Sequence, residues 1–343
     1  MRAVLVSLVL GWLLGCGSDS EAPSRATPPK PYARPNYSSL VETGLYSDLA
    51  SGELSASARA FAPNFVLWSD GASKQRWVDL PAGTQIDTRD MDRWSFPVGT
   101  QVWKTFALGG VALETRLIER YGLAPDDYWM GAFVWNAEQT DAVFVEAGQE
   151  NVQGTAHDAP AQDRCPACHN GEPGRLLGFS ALQLASQQLS AGEPLGDAGD
   201  VWNLPRLAEE QRLSVPPEPG AHYAPPGDAE TAVAFGYLHA NCGHCHNPGG
   251  TSWPDTQMLL RLDVASTSAA ETRLFQSVVG QPLQYFRAEP GTLRVSPGQP
   301  ESSALIARMS ARGPKEQMPP LATELVDTEG LELVRRWIAG LAR

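Results

Sequence analysis

Two five-residue stretches hold most of the reactive side chains of this sequence: Cys165-Pro166-Ala167-Cys168-His169 and Cys242-Gly243-His244-Cys245-His246. Both read C-x-x-C-H, the attachment signature of c-type haem. The spacing follows from the chemistry. Two thiols must reach the two vinyl groups of one macrocycle, and the next imidazole must turn under the iron. On this reading Cys165, Cys168, Cys242 and Cys245 are thioethers to two covalent haem c groups, with His169 and His246 as proximal iron ligands. Four of the chain's five cysteines are accounted for in this way. A Cys-x-x-Cys pair also serves as a thioredoxin-like dithiol or as half of a zinc site. A zinc ribbon spaces its pairs by roughly 15–20 residues, far closer than Cys168 and Cys242. Neither alternative requires a histidine directly after the second cysteine, twice.

The elements around the second motif follow from its flanks. Asp228 is placed to cap a helix running through Ala232, Val233, Phe235 and Leu238 into Cys242. A closing helix starts near Asp327, with Leu331, Val334, Trp337, Ile338 and Leu341 forming an apolar stripe. Between them lies Glu316-Gln317-Met318-Pro319-Pro320. Residues 228–343 thereby resemble a class I cytochrome c domain, in which the first and last helices cross beside the haem. The resemblance implies that Met318 is the distal thioether ligand. Met309 and Met258 read instead as packing residues of a helix and of an apolar run.

The first motif has no comparable partner. Candidates for its sixth ligand are His157, His222, Met130 and Met91, while His239 and His244 flank the second motif as orienting groups. Residues 154–164 read as a polar loop, and Leu176, Leu177, Phe179, Leu182, Leu184, Ala185 and Leu189 approximate helical spacing. Six prolines between Leu204 and Pro226 predict an extended connection.

Upstream the periodicity is two. Val102, Lys104, Phe106 and Leu108 alternate with Trp103, Thr105 and Ala107, Gly109-Gly110 is a hairpin turn, and Val111 to Leu117 returns. Trp129 to Trp135 and Ala142 to Val145 predict two more strands. Six of the ten tryptophans lie in this region, which suits a packed β core better than a sugar-binding platform. Asp70 and Asp141 read as turn-capping residues rather than calcium ligands. Trp68-Ser69-Asp70-Gly71-Ala72, Phe96-Pro97-Val98-Gly99-Thr100, Glu114-Thr115-Arg116-Leu117, Trp135-Asn136 and Gln139-Thr140-Asp141-Ala142 resemble the N-terminal half of a family of bacterial exported proteins that continues into two C-x-x-C-H motifs. That resemblance spans nearly all of the mature chain and bears on its architecture.

Met1-Arg2 and the apolar run Ala3 to Leu14 read as a secretory signal, too short for a bilayer span of about 20 residues. Leu13-Leu14-Gly15-Cys16 resembles a bacterial lipobox, which implies lipidation at Cys16. The proline-rich stretch up to Ser39 is a tether. The formal charge of −13 argues against nucleic acid. The expected fold class is α+β and multidomain: signal 1–15, tether 16–39, a mainly antiparallel Trp-rich β-domain over 40–150, a first haem region over 151–226, and a mainly helical cytochrome c-like domain over 227–343. The expected function is electron transfer by an exported two-haem cytochrome facing the periplasm, anchored by lipid to the outer rather than the inner membrane, with a redox protein as partner. The alternatives are a peroxidase-like oxidoreductase with a five-coordinate first haem, or a β binding module that localises a cytochrome. A Cys16→Ser variant should move the protein from the membrane fraction to the soluble periplasm; wild-type protein already soluble there would refute the anchor.

Overall fold

A β hairpin is the nucleus of the architecture. Strand β5 (Gln101–Leu108) turns back into β6 (Val111–Arg120) through Gly109 and Gly110, whose φ values of 57° and 84° match a two-residue turn that only glycine adopts without strain. The computed structural model describes residues 33–185, 201–284, 292–313, 316–321 and 323–342. The signal segment, Cys16 and most of the tether lie outside them.

The remaining strands are β1 (Tyr46–Asp48), β2 (Glu53–Leu54), β3 (Arg59–Phe61), β4 (Ser73–Asp79), β7 (Tyr128–Trp135), β8 (Ala142–Phe144) and β9 (Val201–Trp202). Strands β1 and β2 pair as a small ribbon. The others join the hairpin, among the described residues, in a seven-stranded sheet of order β8-β7-β6-β5-β4-β3-β9. All of its pairs are antiparallel except β3 with β9. The edge strand β9 comes from residues well beyond 150.

The two faces of the sheet have different duties. One presents Trp77, Trp103, Leu117, Trp129, Phe133 and Trp135, packed beneath Leu40, Leu45, Tyr37 and Tyr46. These tryptophans are core. Gly131 is required there, since a Cβ would lie 2.5 Å from the Trp129 ring. On the other face, register places Arg76, Lys104, Arg116 and Ala132 in one row and Val78, Val102, Ile118 and Met130 in the next. That face looks toward the first cysteine motif.

The helices are α1 (Cys165–His169), α2 (Ala181–Leu184), α3 (Leu204–Glu209), α4 (Ala229–Asn241), α5 (Trp253–Thr256), α6 (Arg273–Val278), α7 (Ala304–Ser310) and α8 (Thr328–Gly340). The two long ones start where the sequence predicts: Asp228 accepts from the Thr231 amide at 2.8 Å, and Asp327 from the Gly330 amide at 2.9 Å. Helices α4 and α8 pack through an edge-to-face contact of Phe235 with Trp337. The fold is thus α+β: a large mixed sheet with several helices.

Two local expectations are corrected. The helical spacing after Gly174 does not give a continuous helix: Arg175 and Gly178 have φ values of 60° and 79°, and within the described residues only α2 forms. Leu189 lies outside those residues. Leu176, Phe179 and Leu184 are nevertheless buried against Phe61, Trp94 and Trp202, so the apolar side chains serve a core without the helix. The proline-rich connection begins with helix α3, because the Asn203 side chain caps the Arg206 amide and Pro205 fits a first helical turn.

Sheet and helices are stitched by the segment between β3 and β4. Phe65 packs into the helical core with Leu182, Phe235 and Trp337. A Cβ on Gly236 of α4 would lie 2.0 Å from its ring. Gly236→Val should therefore destabilise the fold by about 1–3 kcal/mol, as overpacking of a filled core does. Urea denaturation with an unchanged midpoint would show that Phe65 does not seat on α4.

Candidate functional site

The second motif forms as α4 ends. The Cys242 and Gly243 amides donate to Leu238, and the Cys245 and His246 amides both donate to the Cys242 carbonyl at 3.1 and 2.9 Å, closing one turn. Asn247 ties that turn from inside, donating to the carbonyls of Gly243 at 2.7 Å and His244 at 3.1 Å. The first motif is helix α1 itself, a single turn with Pro166 at its start.

The structure brings the two turns together. A Cβ on Gly171 would lie 1.9 Å from the His244 carbonyl oxygen, so only glycine permits this approach. Thr251 donates to the Ala167 carbonyl at 3.1 Å. The sulfurs of Cys168 and Cys245 and a ring nitrogen of His244 all lie within 4.8 Å of one another. The Cys245 thiol and His244 hold the Cys168 thiol well below its ordinary range, whereas the Cys168 contact and burial push Cys245 up. One proton shared between two sulfurs has that effect. Burial alone pushes Cys242 up to about 12, and burial is the main cause of the rise of Cys165 to about 11.

Each motif faces its own cavity. The second, of about 380 Å³, is lined by Cys242, Cys245, His246 and Met318, and also by Met258 and Met309. The first, of about 170 Å³, is lined by Cys165, Cys168, His169 and the charged sheet face. The two share Trp68, His244, Cys245, Thr251, Pro319 and Pro320 as walls. A larger open cleft of about 650 Å³ beside Tyr128, Pro166 and Arg175 lies on the outer side of α1 and includes neither motif histidine.

Both motif histidines are buried or nearly so, and burial pushes each down to about 4, keeping the imidazole neutral. The Nδ1 of His169 donates to the Arg175 carbonyl at 2.6 Å, which leaves Nε2 with a free lone pair, the pose of a metal-binding histidine. The Nδ1 of His246 lies 3.4 Å from the Thr256 hydroxyl. His239 has a structural duty instead: its Nδ1 accepts from the Leu262 amide at 3.0 Å. The Nδ1 of His244 is buried with no hydrogen-bond partner among the described residues.

Of the four candidates for a sixth ligand at the first motif, His157 and Met130 line its cavity. Met91 packs against the core around Trp94, and His222 lines a cleft with Pro205 and Tyr223. The charged side chains of the sheet face, Arg76, Lys104, Arg116 and Glu114, were not singled out as site residues in the sequence. The available signal was two pairs of charged residues two positions apart, Lys74 with Arg76 and Glu114 with Arg116, which a strand places on one face.

The Met318 loop is held from the opposite half of the chain. The Asp70 carboxylate accepts the amides of Glu324 and Leu325 at 2.9–3.1 Å, and Trp68 Nε1 donates to the Leu325 carbonyl at 3.4 Å. The Met318 amide donates to Arg308 at 3.0 Å. Asp70 sits in its own turn at φ 51°, but its carboxylate caps this distant loop, which corrects the reading of a residue that caps its own turn. No family model matches the chain, and no match was found among curated proteins or solved structures.

Removing a buried acceptor costs about 1–3 kcal/mol, or roughly ten-fold or more in local opening. Asp70→Ala should accelerate amide exchange at Glu324 and Leu325 by that factor while the β5–β6 hairpin stays protected. Unchanged exchange at both amides would remove Asp70 as the anchor of the Met318 loop.

Proposed function

We propose that the chain carries two covalent haem c groups, one on each C-x-x-C-H turn, and moves electrons between them and a redox partner protein. One observation carries the reading: two turns of identical chemistry abut at Cys168 and Cys245 and open into two cavities with a common wall. Haem groups held by those cysteines would be attached to adjoining turns, which favours electron exchange without a large rearrangement. The donor set supports the same reading, with two thiols and one neutral imidazole at each turn. The bound haem supplies a one-electron iron couple.

The chain's own residues do the rest. Cys165, Cys168, Cys242 and Cys245 hold the groups, and His169 and His246 stand ready as proximal ligands. Met318 shares the second cavity with His246 and is the distal ligand in this proposal, by the resemblance of residues 228–343 to a class I cytochrome c domain. The Asp70 and Arg308 hydrogen bonds keep its loop in position. A lipid anchor at Cys16 would place the molecule on the periplasmic side of the bacterial envelope; among the described residues no helix is long and apolar enough to cross a membrane.

A second reading has its own observation. Cys168, His244 and Cys245 converge closely enough to bind one soft transition-metal ion such as zinc. It uses thiols that the haem reading consumes, so mass and metal analysis separate the two.

The protein made in a host competent for haem attachment should gain the mass of two haems, retained after denaturation. Unmodified Cys168 and Cys245 with one equivalent of zinc would favour the metal reading. Met318→Ala should abolish the near-infrared charge-transfer band of thioether-ligated ferric haem and lower that haem's potential, with haem content unchanged. Because Met309 and Met258 line the same cavity, loss of the band in Met309→Ala or Met258→Ala instead would reassign the ligand.

A further inference from the structure

The sheet face over the first motif carries a buried acid–base set that an electron carrier does not require. Glu114 is wholly buried, yet Arg116 grips it with two hydrogen bonds of 2.7 and 2.9 Å and His157 Nε2 lies 2.7 Å away. Burial alone would raise the carboxyl, but the guanidinium and the imidazole together bring it below its usual range, so it is a carboxylate. A carboxylate accepts, so Nε2 of His157 carries the proton and donates it. In the neutral ring this contact fixes the tautomer and leaves Nδ1 as the acceptor, with no hydrogen bond among the described residues.

The geometry around the pair is rigid. The Phe106 ring lies 5.0 Å from the His157 ring and 4.4 Å from the Arg116 guanidinium, backing both. The His157 backbone is tied to Val152 and Thr155. His157 and Arg116 line the cavity of the first motif, while Glu114 stands behind them. As an axial ligand His157 is poorly placed. Its Nε2, the ring nitrogen farther from the backbone, is committed to Glu114. Burying such a set is costly before pairing, and clustered ionisable groups in a cavity mark functional sites.

We propose that the haem at Cys165, Cys168 and His169 is five-coordinate, and that this pocket binds a small peroxide and cleaves it reductively, with His157 moving the proton and Arg116 steadying the oxygen that leaves. The proposal rests on the two-haem reading. Hydrogen peroxide loses its O–O bond, takes up two electrons and two protons, and leaves as two waters. His157 Nδ1 takes the proton from the near oxygen and returns it to the far oxygen, which departs as the first water. The two protons taken up come from solvent. The two electrons come singly from a one-electron donor protein, by way of the second motif. Glu114 is a positioning residue that sets the His157 tautomer. Proton transfer by a placed side chain is worth about 10²–10⁴-fold.

The test uses the two-haem holoprotein and cyanide, a ligand that needs an open iron position and a base for its proton. One high-spin and one low-spin ferric signal are expected, with cyanide converting only the first. His157→Gln should slow cyanide association by about 10²-fold or more at unchanged haem content, and hydrogen peroxide turnover should fall in parallel. If that variant loses haem, Glu114→Gln keeps the ring but removes the charge that orients it, and the same slowing is expected. Two low-spin signals with no cyanide binding would overturn the proposal while leaving the two-haem reading intact. Appearance of a high-spin signal only in Met130→Leu would identify Met130 as the sixth ligand. Unchanged cyanide kinetics in His157→Gln, with Arg116→Gln altering only the potential, would also overturn it and assign the cations to the haem propionates. A mass showing one haem refutes the two-haem reading itself, and this proposal with it.

Discussion

At one point the two motifs leave no room for a side chain: a Cβ on Gly171, just after the first motif, would run into the carbonyl of His244 inside the second. No side chain fits there, so the two motif turns either meet at this glycine or do not meet at all. Everything around the site is arranged to keep them together. The Thr251 hydroxyl binds Ala167, Asn247 braces the second turn from within, and Arg261 pairs with the half-buried Glu172 beside the first at 2.7 Å. Burial raises the Glu172 carboxyl, and the Arg261 guanidinium works against that rise.

Because the turns abut, the sheet cannot be a bystander. One face is filled with tryptophan and phenylalanine, which need no other partner than the segment over them. The opposite face carries Arg76, Lys104 and Arg116 across three neighbouring strands, in register, against the cavity of the first motif. Arginines gather at the second cavity too, with Arg294, Arg308 and Arg312 in its lining. In a chain of net charge −13 this is a segregation of sign, with cations drawn inward around the two cavities. Such an interior suits anionic groups, as a haem propionate or an anionic ligand would be.

The same wall explains why Trp68 to Gly71 matters out of proportion to its length. This turn lies between β3 and β4, yet its side chains and backbone reach the end of α4 through Asn241 and the Met318 loop through Asp70. A hydrogen bond to two neighbouring amides is directional, so it fixes the loop's path as well as its position. Sheet, second motif and methionine loop are therefore held in one frame by a few polar contacts across more than half of the sequence.

What the sequence determined by itself is local. The β5–β6 hairpin and the helix starts at Asp228 and Asp327 rest on interactions between residues a few positions apart, and each reads correctly from its own window. Where a local pattern had to compete with packing it misled: the apolar spacing after Gly174 served a core assembled from Phe61, Trp94 and Trp202, with the chain bent by two positive-φ residues. The tertiary structure alone decided that the motifs touch, that Asp70 caps a loop some 250 residues away, and that His157, met in the sequence as a lone histidine in a polar loop, faces Glu114 across the sheet. Those pairings join segments with no shared periodicity. They exist only because burial of the sheet and helix faces brings the groups together and, once out of water, leaves each polar group no choice but the other.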